Sequence, residues 1–110
     1  MGRFFDLIRQ RKTFRRIAPL IREFSQQCQA DVWDRVRERI FGMDLFEARG
    51  YVRARAIKVV RRYVDGQLHH HPQLDARSGR QLKTLVTERV TQLVVTDLMA
   101  GGPAARRPAA

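Results

Sequence analysis

The chain has one cysteine, no asparagine and no long apolar run. Cys28 alone excludes an intrachain disulfide and points to a reducing, cytoplasmic setting. It continues an apolar stripe, which reads as a small buried hydrophobe and not a reactive thiol. Without asparagine, the bidentate recognition of adenine in a major groove loses one of its usual side chains. No window approaches the roughly 18 apolar residues of a transmembrane helix. Asp6 and Arg9 interrupt the one apolar cluster near the N-terminus, which argues against a secretory signal. Residues 1–21 are Arg-rich and nearly acid-free, as in a mitochondrial presequence, but the apolar stripe runs on past them.

Acidic residues are also scarce, with 11 Asp+Glu against 22 Lys+Arg, a formal net charge of +11. Of the basic residues 19 are Arg and only 3 are Lys, in a chain rich in Ala and Val. Codon bias can enrich Arg without any anionic partner, but it does not remove acids. The positive field therefore favours an acidic protein, an anionic membrane surface or nucleic acid. The 110 residues, 44% of them apolar, suit one modest core of roughly 13 Å radius of gyration if compact.

No catalytic constellation is present. Gly101-Gly102 follows a helical pattern instead of opening one, so it is not a phosphate-binding loop. Ser25 and Ser78 lack a nucleophile elbow. His69, His70 and His71 are consecutive, and adjacent helical residues diverge by about 100°, so they do not share a metal easily. The sequence predicts no enzyme activity, no cofactor and no metal.

Helical periodicity organises the chain into an expected all-α bundle of about four helices. Leu7, Phe14, Ile17, Ile21, Phe24 and Cys28 form one stripe over residues 4–29, with a kink at Pro19. Asp31 is placed as the N-cap of a second helix over 31–41, with Val32, Trp33, Val36 and Ile40 as its apolar face and Gly42 as its stop. Asp44 and Glu47 have capping-box spacing before a third, long helix over 44–70, ended by Pro72. Ser78 and Gln81 have the same spacing before a fourth over 78–99, which buries Leu82, Leu85, Val86, Val90, Leu93 and Val94. Its Thr and Val content leaves a strand over 90–96 as the minor alternative. Residues 1–100 read as one helical domain, and 101–110 as a flexible basic tail.

The third helix is apolar on two sides. One stripe holds Leu45, Val52, Ala56, Val59, Val60 and Tyr63; the other holds Phe46, Ile57, Val64 and Leu68. A helix of that kind belongs in the middle of a bundle. Its remaining sector is a basic ridge of Tyr51, Arg55, Lys58 and Arg62, with His69 further on, suited to phosphate contact and stacking. In the first helix Phe4, Phe5 and Ile8 leave the main stripe and fall beside Arg11, Lys12, Arg15, Arg16 and Arg22, a docking pattern for a partner or a membrane interface. Arg49, Arg53 and Arg89 project near apolar stripes and each needs an acid, a helix end or water. An acid from a second chain would make a homo-oligomer. Phe4, Phe5, Trp33 and Phe41 are the candidate interface anchors.

These features predict a non-catalytic basic subunit or adaptor of a larger assembly, docking on an acidic protein or, peripherally, on an anionic membrane. The alternative is charge- or shape-led nucleic-acid binding with little sequence specificity. A helix-turn-helix over 31–70 is disfavoured, because its second helix is too long and too apolar for a recognition helix.

Overall fold

The computed structural model describes the backbone of residues 2–101 and the side chains of residues 15–101. The expected basic tail beyond Gly101 lies outside these. The fold is all-helical, as expected, but three helices pack together instead of four: α1 (Gly2–Val36), α2 (Leu45–Gln67) and α3 (Ala76–Met99). Each packs on both others, joined by connections short enough to make chain neighbours antiparallel. The 54 Å long axis is set by α1, whose 35 residues span roughly 52 Å at 1.5 Å each. The radius of gyration is 16.2 Å, above the value expected for a compact chain for the same reason.

The missing joint is at Asp31. Ile17, Leu20, Phe24, Cys28, Val32 and Val36 are all buried and follow steps of three and four, so the apolar stripe runs on across Asp31. Nothing at Ala30-Asp31 removes a backbone donor or demands an unusual φ, and Asp in a helix interior costs only tenths of a kcal/mol. Asp31 therefore stays on the solvent side and accepts from Arg35 Nε at 2.9 Å, one turn on. Pro19 also lies inside α1, on its exposed side, and has no N–H to donate to the carbonyl of Arg15. The reversal comes later, over residues 37–44, where Gly42 adopts φ +96°.

Asp44 caps α2 as expected, accepting from the N–H of Glu47 at 2.8 Å. That bond holds its carboxyl below the ordinary range. The cap of α3 is Asp75, not Ser78. Asp75 accepts from the Ser78 N–H at 2.7 Å and is likewise lowered by that bond. The carboxylate three residues upstream captured the helix start, and Ala76 and Arg77 extended it by good propensity. Leu68 begins a 3₁₀ turn to His70, and Pro72 prevents its continuation. Gly79 lets the start of α3 close on that turn, since a Cβ there would stand 3.2 Å from Leu68 Cδ1.

The core is Ile17, Phe24, Cys28, Val32 and Val36 from α1; Ala48, Val52, Ala56, Val60 and Val64 from α2; and Leu82, Val86, Val90 and Val94 from α3. Leu85 and Leu93, expected among the buried set, are half-buried. The Thr/Val-rich 90–96 segment is helical. Its buried Thr91 hydroxyl donates to the Thr87 carbonyl at 2.8 Å, which removes the usual cost of burying a threonine.

The third predicted helix is not a central one. Its second stripe is covered at Val64 and half-covered at Leu68, but Phe46 and Ile57 are exposed, as is Leu45 of the first stripe. With the third and fourth expected helices as α2 and α3, three elements form a triangle in which none is surrounded.

Two glycines give a test of the helix and turn assignments. A Cβ on Gly50 meets nothing within 4 Å, so Gly50→Ala should stabilise by about 0.5–1 kcal/mol through helix propensity. Gly42→Ala should destabilise by about 1 kcal/mol or more, because its space is open but its φ of +96° is not. Urea denaturation of the two variants, with shifts of opposite sign, is the check.

Candidate interaction surfaces

The basic ridge of α2 divides into two parts. Arg55 lies over Tyr51, its guanidinium carbon 5.4 Å from the ring centroid, so the aromatic at the ridge's end is occupied by a cation of its own helix. Lys58 and Arg62 are exposed and line a cleft of about 300 Å³ between α1 and α2. Asp31 and Arg35 from α1 and Val59 and Tyr63 from α2 complete it. Neither Lys58 nor Arg62 has an acid partner among the described residues. Arg35 was absent from the predicted set because its place on this cleft depends on α1 continuing past residue 30.

In the N-terminal set, Arg15, Arg16 and Arg22 are exposed. The backbone of Phe4, Phe5, Ile8, Arg11 and Lys12 belongs to α1, and their side chains lie outside the described residues. Among the anchors, Trp33 is half-buried against the core. Phe41 is 68% exposed, and Leu45 (52%) and Phe46 (89%) stand exposed a few residues on, at the same turn. Leu45 and Phe46 had been assigned to buried stripes; the short turn instead leaves the first residues of α2 at the end of the bundle.

Of the arginines near apolar stripes, Arg53 finds Glu88 across the helix pair at 2.8 Å. Arg49 and Arg89 reach solvent. Asp97 is buried and accepts from Gln29 Nε2 at 2.8 Å, tying α3 to α1.

Cys28 is buried, and desolvation, helped by the neighbouring Asp31 charge, pushes its thiol up from 9.0 to about 11. His71 packs edge-to-face with Phe24, with centroids 6.0 Å apart, and sits within reach of Gln73. Among the described residues no group of three or more His, Cys, Asp or Glu is placed to hold a metal ion. No described helix is long and apolar enough to cross a membrane. No protein-family model matches the chain, and neither a curated protein nor a solved structure shows a match to it.

Proposed function

We propose that the protein is a non-catalytic adaptor that docks a basic, aromatic-tipped surface on an acidic protein partner within a larger assembly. The observation that carries this reading is the turn between α1 and α2, where Phe41, Leu45 and Phe46 are all exposed. Large apolar side chains grouped at one site mark contact surfaces, and aromatics anchor them. The chain's net charge of +11 supplies attraction to an acidic partner, through the cationic N-terminal part of α1 and the Arg55, Lys58 and Arg62 ridge. Lys58 and Arg62, without an acid partner among the described residues, support the second reading, charge-led nucleic-acid binding, because they can donate to phosphates and have no base readers beside them.

Capture from the native host with and without nuclease separates the two. The adaptor reading expects a defined protein set that resists nuclease and is lost with Phe41→Ser/Phe46→Ser. Recovery of nucleic acid alone overturns it. In that case Ala at Arg55, Lys58 and Arg62 should flatten the slope of log K against log salt by up to about 3. Binding to anionic vesicles alone, falling with salt, would move the partner to a membrane surface.

A further inference from the structure

One face of α2 is covered at one end and bare at the other. Phe46, Gly50, Arg53, Ile57 and Arg61 follow steps of four, three, four and four, one ridge of the helix. The ridge continues to Val64, which is buried, and to Leu68, which meets the first turn of α3 at Gly79. Towards the N-terminal end of α2 the cover stops. Phe46 is exposed, Ile57 is 39% exposed, and a side chain at Gly50 would have open space.

Ile57 forms the apolar floor of a cleft of about 420 Å³ between α2 and α3. Thr84 and Thr87 face it from α3. Arg53 is neutralised by Glu88, and Lys83 by Asp65. Arg61 and Arg80 also line the cleft and have no acid partner among the described residues. The groove therefore combines an apolar middle with two surplus cations from facing helices.

We propose that this groove receives a single amphipathic helix of the acidic partner, which completes a four-helix bundle in trans. Its apolar seam lies on Ile57 and Phe46, and its carboxylates meet Arg61 and Arg80. From Phe46 to Arg61 the open ridge runs about 22 Å, the length of roughly four helical turns. A second copy of this chain is disfavoured by bringing +11 against +11. A phosphate backbone fits less well, because among the described residues no aromatic stands beside Arg61 and Arg80 in the cleft for stacking, and Phe46 lies at the other end of the ridge. Its unbroken row of charge would also cross Ile57 and approach Glu88, whereas a helix can space its carboxylates to avoid both.

The inference rests on the acidic-partner reading but fails separately from it. The probe is a labelled peptide of about 21 residues with Leu at heptad a and d, Glu at e and g and Ala elsewhere. Its control carries Lys in place of Glu. Anisotropy with the full chain should show saturable binding of the acidic peptide and at least a hundredfold weaker binding of the Lys peptide. Ile57→Ser and Arg61→Glu/Arg80→Glu should each weaken binding at least tenfold, with the helical circular dichroism spectrum unchanged. Arg89→Gln, exposed on the side of α3 that the cleft does not include, should change it less than twofold.

No saturable binding of the acidic peptide, or wild-type binding by Ile57→Ser, overturns the proposal. The adaptor reading still stands in that event if Phe41→Ser/Phe46→Ser loses the host partner. A dimer in sedimentation that Ile57→Ser dissolves would assign the face to a second copy. Displacement of the peptide by oligothymidine, weakened by Ile57→Ser, would assign it to nucleic acid. Either result overturns the proposal.

Discussion

Phe24→Ala should lower the unfolding free energy by about 3–5 kcal/mol, the range for emptying a fully buried aromatic site. Phe24 has no exposed surface and heads the largest fully buried side chains. Its ring meets Tyr63 edge-on, with centroids 5.2 Å apart and planes at 81°, and His71 at 6.0 Å and 65°. It thus joins α1 to α2 and to the connection that launches α3. Removing it loses the transferred apolar area and the edge-to-face contacts, each such pair adding about 0.5–1.5 kcal/mol beyond area. In a domain of about 100 residues the melting temperature should fall by more than about 12 °C. Phe46→Ala, 89% exposed, is the control and should stay within about 0.5 kcal/mol. A loss below about 1 kcal/mol at Phe24 would mean that the three helices do not converge there.

The helical class and the buried positions were legible because the spacing of Ile17, Phe24, Cys28, Leu82, Val86, Val90 and Val94 has one periodic explanation. The number of helices was not. Asp31 has the chemistry of an N-cap, and only the continuation of the apolar stripe from Phe24 to Val36 distinguishes a cap from an exposed acid within a helix. Ser78 posed the same problem, and Asp75 three residues upstream decided it. Wheel position also overstated burial at Phe46 and Ile57, because an apolar face records what can be buried and not what the chain supplies to bury it. The sequence holds apolar faces enough for four helices and folds into three.

The ridge of Tyr51, Arg55, Lys58 and Arg62 was legible as a row, since it depends only on one helix. The clefts beside it were not. Each joins residues from two helices, such as Arg61 with Arg80 or Lys58 with Arg35, and their meeting depends on the pairing of α2 with its neighbours. At the α1–α2 turn the sequence located Gly42 and the anchor Phe41, but not the exposure of Leu45 and Phe46, which depends on what the neighbouring helices leave uncovered.

Cys28 should be nearly inert in the folded protein and should make stability fall in alkali. Its side chain is 1% exposed, and burial is the main cause of its thiol's rise to about 11. At pH 8 the thiolate fraction is then about a hundredfold below that of an ordinary thiol. Reaction with a disulfide reagent at that pH should be at least a hundredfold slower than in denaturant, and limited by opening of the chain. Rapid stoichiometric labelling of folded protein would place Cys28 at the surface. The same shift fixes a pH dependence. The folded state keeps the proton that the unfolded chain releases above about 9, so stability is unaffected below that pH. Between about 9 and 11 it declines, by up to about 1.4 kcal/mol per pH unit. Tyr63 is also raised by desolvation and adds to the decline at the upper end. Cys28→Ala should be less stable at pH 7 through lost packing, yet show a flatter stability profile from pH 9 to 10. An unchanged alkaline slope in that variant would assign the decline to other groups.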